Sequence, residues 1–174
     1  NARALLDEDE ANGIALVDIG AISTGVAIFG DGTLQITGTV QTGGDRWYEA
    51  VTKTGTTDVD AKRFLYEEGI KSGAKTKEQQ AVLAALAPLV EEIQHLIKYY
   101  ENRIRRGGKV YKVILCGGGS SLPGLATFLA KGANMEVLLG NPLRHFDQRA
   151  SKILAPSGAL RFTAALGLAL RGAP

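Results

Sequence analysis

The fold of this chain is decided by residues 15–29, which read ALVDIGAISTGVAIF. Two apolar runs rich in β-branched residues flank a short turn that carries Gly20, Ser23 and Thr24. This pattern predicts a β-hairpin with Asp18 near the end of its first strand. Because an unpaired carboxylate is costly to bury, we expect Asp18 either to cap the turn or to hold a cation or a water molecule.

A second turn, rich in glycine, follows an apolar strand predicted at residues 110–116. It carries Gly117, Gly118, Gly119 and Ser120, and it leads into a helix whose free N–H groups attract anions. No Gly-Lys-Ser/Thr follows, and Leu122 stands where a dinucleotide fingerprint has its third glycine, so neither of those motifs is present. Taken alone, a tight corner of the chain explains this turn equally well.

The two turns are more informative together than apart. Both are predicted at strand ends of one sheet, which is where α/β folds bind ligands. We expect them to face each other across one nucleotide. Asp18 would then position Mg²⁺ through water, and the three glycines would lie beneath the inner phosphates and the sugar.

Composition limits the class of protein. A chain of 174 residues forms one domain, or one domain with an inserted subdomain. The single cysteine, Cys116, excludes an internal disulfide framework and fits a reducing compartment. The net charge of +2 gives no reason to expect nucleic acid as a partner, and no run reaches the roughly 18–20 apolar residues of a membrane span. Because the chain begins at Asn1, we expect it to be a piece of a longer protein.

The first half of the chain reads as an acidic lead-in followed by a meander and helices. Residues 1–12 form the lead-in, strands are predicted at about 14–20, 25–29 and 33–40, and a short helix follows. A second helix, capped by Thr57 or Asp58, is expected to stop at Gly69 and to carry on one side Val59, Ala61, Phe64 and Leu65.

The second half begins with a long helix at about 76–106. Thr76 and Gln79 have the form of a capping box, and Pro88 should kink or split this helix. After the glycine turn, Pro123 is placed in the first turn of a helix, a strand follows at 135–139, and Ser157 caps a final helix.

The element order is therefore β-β-β-α, a helical insertion, then β-α-β-α. An antiparallel hairpin edge beside parallel strands predicts an α/β architecture. The predicted domain division places residues 1–50 and 108–174 in a sheet-bearing subdomain and residues 51–107 in a smaller, mainly helical one.

Several motifs resemble the second lobe of actin-like ATPases (RNase H-like folds), and most closely the type IV pilus assembly proteins PilM, relatives of the cell-division protein FtsA. The resemblance covers most of residues 14–172. It rests on four stretches of sequence. These are VDIG at 17–20 with Thr24, GGD at 43–45, LCGGGSSLPGL at 115–125 and AALGLALRG at 164–172.

This resemblance implies an ATP site with Mg²⁺. The Asp18 turn, with Gly20, Ser23 and Thr24, would be the second phosphate-binding motif, and residues 117–120 would be the adenosine motif. The smaller subdomain would help to enclose the adenine. Leu65 stands where the family pattern carries a lysine, which leaves Lys62 and Arg63 as the nearby cations.

The resemblance also implies a function and its partners. The chain would be the nucleotide-binding half of a cytoplasmic scaffold that acts at the inner membrane, binds PilN mostly through a missing first lobe, and touches the membrane only indirectly. Alone it would be at most a weak ATPase. Two alternatives stay open: an interaction domain on the same fold without nucleotide binding, and half of a small-molecule kinase.

Overall fold

A computed structural model describes residues 1–6, 13–71, 73–104, 108–133, 135–146 and 154–171. This described part is organised around a five-stranded sheet with the strand order β3-β2-β1-β4-β5. β1 is antiparallel to β2 and parallel to β4, so the predicted α/β sheet with a hairpin edge is confirmed. The strands are β1 Ile14–Ile19, β2 Thr24–Gly30, β3 Thr33–Val40, β4 Lys112–Cys116 and β5 Glu136–Leu139.

Helices cover both faces of the sheet. The α-helices in the described residues are α1 Ala2–Leu5, α2 Gly44–Thr52, α3 Asp58–Arg63, α4 Lys77–Tyr99, α5 Leu125–Ala133, α6 Pro156–Ala159 and α7 Thr163–Ala169. π-helical turns follow α3 and α4, at Phe64–Glu68 and Tyr100–Ile104. Short 3₁₀ segments lie at Gly118–Ser121 and Leu160–Phe162. None of the described helices is long and apolar enough to cross a membrane.

The alternation of side chains along β1 sets up two hydrophobic clusters. Ala15, Val17 and Ile19 point into the larger one, which also contains buried residues of α2, α4 and α5. Ile14 and Leu16 point to the opposite face and into the smaller cluster.

The start of the chain belongs to the smaller cluster, which the sequence did not predict. Residues 2–5 form α1, whose Ala4 and Leu5 are buried, so the interpretation of residues 1–6 as a lead-in is wrong. α1 packs on α7, where Gly167 leaves room for Ala4. The rest of the predicted lead-in, residues 7–12, lies outside the described residues.

The long helix α4 begins as predicted. Thr76 Oγ1 accepts the Gln79 N–H at 3.2 Å, and Gln79 Oε1 accepts the Thr76 N–H at 3.2 Å, which completes the capping box. Of the two predicted effects of Pro88, a kink or a split, the split does not occur, because one helix continues through this residue. Pro88 and Ala84 are exposed. Water can therefore satisfy the Ala84 carbonyl, which lacks its usual helical donor.

Three other local predictions are wrong. α5 begins at Leu125, because Pro123 and Gly124 (φ +89°) occupy a turn with the Pro-then-Gly order of type II. The final helix is divided into α6, a 3₁₀ segment and α7, and its N-cap is Ala155 instead of Ser157. Thr57 caps α3 as predicted, but Val59 is 75% exposed and does not face the core.

Candidate functional site

The β1–β2 turn is fixed to the start of α2 by backbone hydrogen bonds. The Gly44 N–H donates to the Gly20 carbonyl at 3.0 Å, and the Asp45 N–H donates to the Ala21 carbonyl at 2.8 Å. Within the turn, the Gly20 N–H donates to the Ser23 carbonyl at 3.0 Å. The hairpin and the α2 N-terminus therefore form one unit.

The glycine turn lies against the end of β1. Gly117 has φ +81° and is buried, and its N–H donates to the Leu160 carbonyl at 3.0 Å. A side chain on Gly117 would collide with Ile19 and with the carboxylate of Asp18, so only glycine fits this position. Gly118 is the exposed member of the turn.

α3 and the π-helical turn after it bring aromatic and basic side chains beside α2. Lys62 Nζ lies 5.9 Å from the centre of the Tyr48 ring, within the range of a cation–π contact. A hydrogen bond to the Asp58 carboxylate raises the pKa of the Tyr48 phenol. The π-helical turn closes where the Gly69 N–H donates to the Phe64 carbonyl at 2.7 Å.

These elements enclose a cavity of about 500 Å³. Its hairpin end is formed by Gly20, Ala21, Gly44 and Asp45, and its aromatic end by Tyr48, Lys62, Leu65 and Tyr66. Further lining comes from Trp47, Gly118, Gly119, Ser121, Leu122 and Arg161. Tyr48 follows Asp45 on α2 by three residues, which is a rise of about 4.5 Å along the helix axis.

Some of the site residues predicted from the sequence line this cavity and others do not. Gly20, Lys62, Gly118 and Gly119 line it, whereas Asp18, Ser23, Thr24, Gly117 and Ser120 are not among its lining residues.

The two buried hydroxyls of the predicted site have acceptors inside the protein. Thr24 is fully buried, and its hydroxyl donates to the Thr42 carbonyl at 2.8 Å. Ser120 is 1% exposed, and its hydroxyl donates to the Gly117 carbonyl at 2.6 Å. Both hydroxyls therefore stabilise the turns that shape the cavity.

Asp18 lies on the sheet face opposite Val17 and Ile19. Its register partner on β4 is Cys116, and its Oδ2 accepts a hydrogen bond from Asn1 Nδ2 at 2.6 Å. Burial raises the pKa of the Cys116 thiol to about 12, and the negative charge of Asp18 adds to the effect.

The sequence did not mark several residues that line the cavity. Asp45 belongs to the GGD stretch at 43–45, whereas Tyr48, Tyr66 and Arg161 belong to no motif of the sequence. Tyr66 is 65% exposed. An aromatic side chain three residues after Asp45 on a short amphipathic helix was the available signal for Tyr48, whereas Arg161 reaches the cavity only through the tertiary fold.

The backbone at Gly118 and Gly44 faces space in the cavity that no protein atom fills, so a ligand has room there. A Cβ atom built on Gly118 would have no neighbour closer than Arg161 Cβ at 3.8 Å, and one built on Gly44 would have none closer than the Gly20 carbonyl oxygen at 3.8 Å. The buried Trp47 indole N–H has no hydrogen-bond acceptor among the described residues. The volume lies within the roughly 300–1,000 Å³ that is usual for small-molecule sites.

Comparison with known proteins identifies the fold. The chain superimposes on the PilM-PilN type IV pilus biogenesis complex with a TM-score of 0.73 and 24% identity, covering 99% of this chain and 49% of that one. It superimposes on MreB5 of Spiroplasma citri bound to AMPPNP with a TM-score of 0.69 and 11% identity, covering 96% and 54%. The fold is that of the actin-like ATPases.

A sequence comparison shows the family to which the chain belongs. A sequence model described as "Type IV pilus assembly protein PilM" matches residues 1–173, so the chain belongs to that family. The cell division protein FtsA of Neisseria meningitidis serogroup B (strain ATCC BAA-335 / MC58) is 24% identical over 190 residues, covering 97% of this chain and 45% of FtsA. The chain spans about half the length of the relatives it matches.

Proposed function

We propose that this chain is the nucleotide-binding half of an actin-like scaffold for type IV pilus assembly. The observation that carries the proposal is the cavity of about 500 Å³ between the glycine turn, α2 and the π-helical turn. Gly118 and Gly44 leave backbone open toward a ligand there, and the aromatic end offers flat surfaces for a base. The relative MreB5 was solved with AMPPNP, a nucleotide analogue.

We place the phosphates at the hairpin end and the base at the aromatic end. The positive end of the α2 dipole lies at Gly44, beside Gly20 and Ala21. Asp45 is the carboxylate that lines the cavity in the described part of the chain. It would hold Mg²⁺ through water, and Asp18, which does not line the cavity itself, would contribute through a further water, while the phosphates supply the remaining oxygen ligands.

This Mg²⁺ proposal requires few ligands from the protein itself. No group of three or more His, Cys, Asp or Glu side chains with metal-binding geometry exists among the described residues. Mg²⁺ commonly keeps several waters and is bound through one or two carboxylates and the substrate phosphates. We therefore expect the metal to bind with the nucleotide and not before it.

The proposed partners follow from the family. The solved relative is a complex of PilM with PilN, and we propose PilN as a partner of the intact protein at the cytoplasmic face of the inner membrane. We expect most of its contacts to lie outside this chain. Nucleotide would act by favouring one conformation of the protein over another and so changing its affinity for PilN.

Titration calorimetry of the intact protein with Mg-ATP tests the proposed function. Gly118→Val fills the cavity without a clash in the protein, so it should weaken binding at least tenfold while leaving the melting temperature nearly unchanged. The matched control is Gly132→Val on the exposed side of α5, where the nearest atom to a built Cβ is Val90 Cγ1 at 3.7 Å; it should bind like the wild type. Asp18→Ala should weaken binding in Mg²⁺ more than in EDTA.

Two outcomes would contradict the proposal. Absence of binding by a folded intact protein would reject nucleotide control and would favour an interaction domain on the same fold. Equal binding by wild type and Gly118→Val would place the nucleotide outside this cavity.

A further inference from the structure

Arg161 is held beside the glycine turn by the backbone of the residue that precedes it. The Gly117 N–H donates to the Leu160 carbonyl at 3.0 Å, and the Thr163 hydroxyl donates to the same carbonyl at 2.7 Å. Leu160 is 1% exposed, so it anchors this segment in the protein interior. The backbone at Arg161 is therefore fixed relative to the glycine turn.

The side chain of Arg161 is exposed and lines the cavity next to Gly118. Its Cβ atom lies 3.8 Å from a Cβ atom built on Gly118. Among the described residues, the Arg161 guanidinium forms no salt bridge. A guanidinium carries five N–H donors and no acceptor, so this group is available to an anionic ligand in the cavity.

The glycine turn joins Arg161 to the hairpin end of the cavity. Gly118 is the neighbour of Arg161, and a Cβ atom built on Gly119 would lie 3.2 Å from the Ile19 carbonyl oxygen. Gly20 follows Ile19 and lines the hairpin end. Because Gly118 and Gly119 have no side chains, the turn itself places no side chain between Arg161 and the hairpin end.

The hairpin end needs positive charge if it is to hold phosphates. Asp45 lines this end, and the N-terminus of α2 offsets it by only about half a positive charge. Among the described lining residues the cations are Lys62 and Arg161. Lys62 Nζ lies 5.9 Å from the centre of the Tyr48 ring, at the aromatic end. Arg161 is therefore the side chain placed to balance the charge of the phosphates.

We infer that Arg161 binds the phosphates of the nucleotide through hydrogen bonds from its guanidinium, so that the site takes nucleoside phosphates in preference to nucleosides. The inference rests on the proposed function, because it assigns a residue to the phosphates that this site would hold. Arginine suits the role, since two parallel N–H donors of its planar group match two phosphate oxygens. A lysine at this position would keep the charge but lose the paired hydrogen bonds.

Competition binding on the intact protein tests the inference. Unlabelled ATP, ADP and adenosine each displace a nucleotide whose fluorescent group is attached to the ribose, with Mg²⁺ present throughout. Arg161→Met keeps the apolar stem but loses the guanidinium. In this variant the dissociation constants of ATP and ADP should rise at least tenfold, whereas that of adenosine should change less than twofold. Arg161→Lys should give an intermediate rise for ATP and ADP.

The salt dependence of binding is a second measurement, which a purely structural role of Arg161 would not alter. Salt screens an attraction between charges, so added NaCl should weaken ATP binding to the wild type. In Arg161→Met the ATP dissociation constant should depend less steeply on the NaCl concentration. Arg171→Met is the matched control, because Arg171 is exposed and does not line the cavity; it should leave the dissociation constants and their salt dependence unchanged.

The outcomes separate this inference from the proposed function. Unchanged ATP binding by a folded Arg161→Met would overturn the inference and leave the proposed function intact. An equal loss of ATP and adenosine binding, with an unchanged salt dependence, would also overturn it, because Arg161 would then act on the base, the sugar or the shape of the site. Failure of the wild type to bind ATP would reject the proposed function itself.

Discussion

Adjacent glycines in the glycine turn should respond to the same substitution in opposite ways. A Cβ atom on Gly119 would overlap Ile19 Cγ2 and lie 3.2 Å from the Ile19 carbonyl oxygen. Ile19 is fully buried in the larger cluster, so it has little room to move. A Cβ atom on Gly118 would meet nothing closer than 3.8 Å.

The magnitude follows from two opposing terms. Overpacking a well-packed core costs about 1–3 kcal/mol, and replacing glycine by alanine recovers about 0.4–1 kcal/mol by restricting the unfolded chain. The difference between the midpoints of these two terms is about 1.3 kcal/mol, so Gly119→Ala should lower the free energy of unfolding by about that amount, which corresponds to a fall in Tm of about 3–5 °C for a domain of this size. In Gly118→Ala only the reduced conformational entropy of the unfolded chain acts, because the added methyl group meets no neighbour. This variant should be as stable as the wild type or more stable by up to about 1 kcal/mol.

Urea unfolding followed by circular dichroism, with thermal melts alongside, measures both variants. A stability of Gly119→Ala equal to or above the wild type would refute the packing of this turn on Ile19. An equal loss in Gly118→Ala would show that Gly118 does not open onto free space.

Three further predictions concern buried and backbone groups. Thr24→Val removes the hydrogen bond to the Thr42 carbonyl and should lower the free energy of unfolding, measured in urea, by about 1–2 kcal/mol. Thr24→Ser should recover part of this loss. An unchanged free energy of unfolding in Thr24→Val would contradict the hydrogen bond. Pro88→Ala restores a donor for the Ala84 carbonyl inside α4 and should raise the stability by about 1–3 kcal/mol, and a lower melting temperature would count against the continuous helix. Because the pKa of the Cys116 thiol is about 12 in the folded protein against an ordinary 9.0, the unfolded chain loses this proton first as the pH rises. The free energy of unfolding should therefore be retained below about pH 9 and should fall above it by up to about 1.4 kcal/mol per pH unit. Urea unfolding at pH 8 and pH 10 measures this fall, and Cys116→Ala should reduce it.

The parts of the fold that the sequence predicts well depend on local chemistry. The capping box at Thr76 acts over a few residues, and the observed start of α4 follows from it. The predicted strand pairing also follows, because the apolar alternation of β1 and β2 leaves few ways to bury both strands.

The parts that the sequence misses depend on long-range packing. α1 is only four residues long and is stabilised by its contact with α7, more than 150 positions away in the chain. Pro123 has the features of a helix start, but Gly124 packs against Ile70 and Lys71 and holds the chain in a turn. At these positions tertiary contacts override the local conformational preference of the sequence.

The residues of the candidate site show the same difference between what local sequence encodes and what the tertiary fold determines. Gly20, Gly118 and Gly119 were predicted because each belongs to a turn with its own sequence signature, and all of them line the cavity. Tyr48, Tyr66 and Arg161 come from elements whose relative position only the fold defines.

Photoaffinity labelling of the intact protein with 2-azido-ATP tests the central claim most directly, since the reactive group sits on the base. We expect labelled peptides to map to the aromatic end, around Tyr48 and residues 62–66, and we expect excess ATP or the Gly118→Val substitution to abolish the labelling. Labelling that resists excess ATP, or that maps to peptides far from this cavity, would contradict the account.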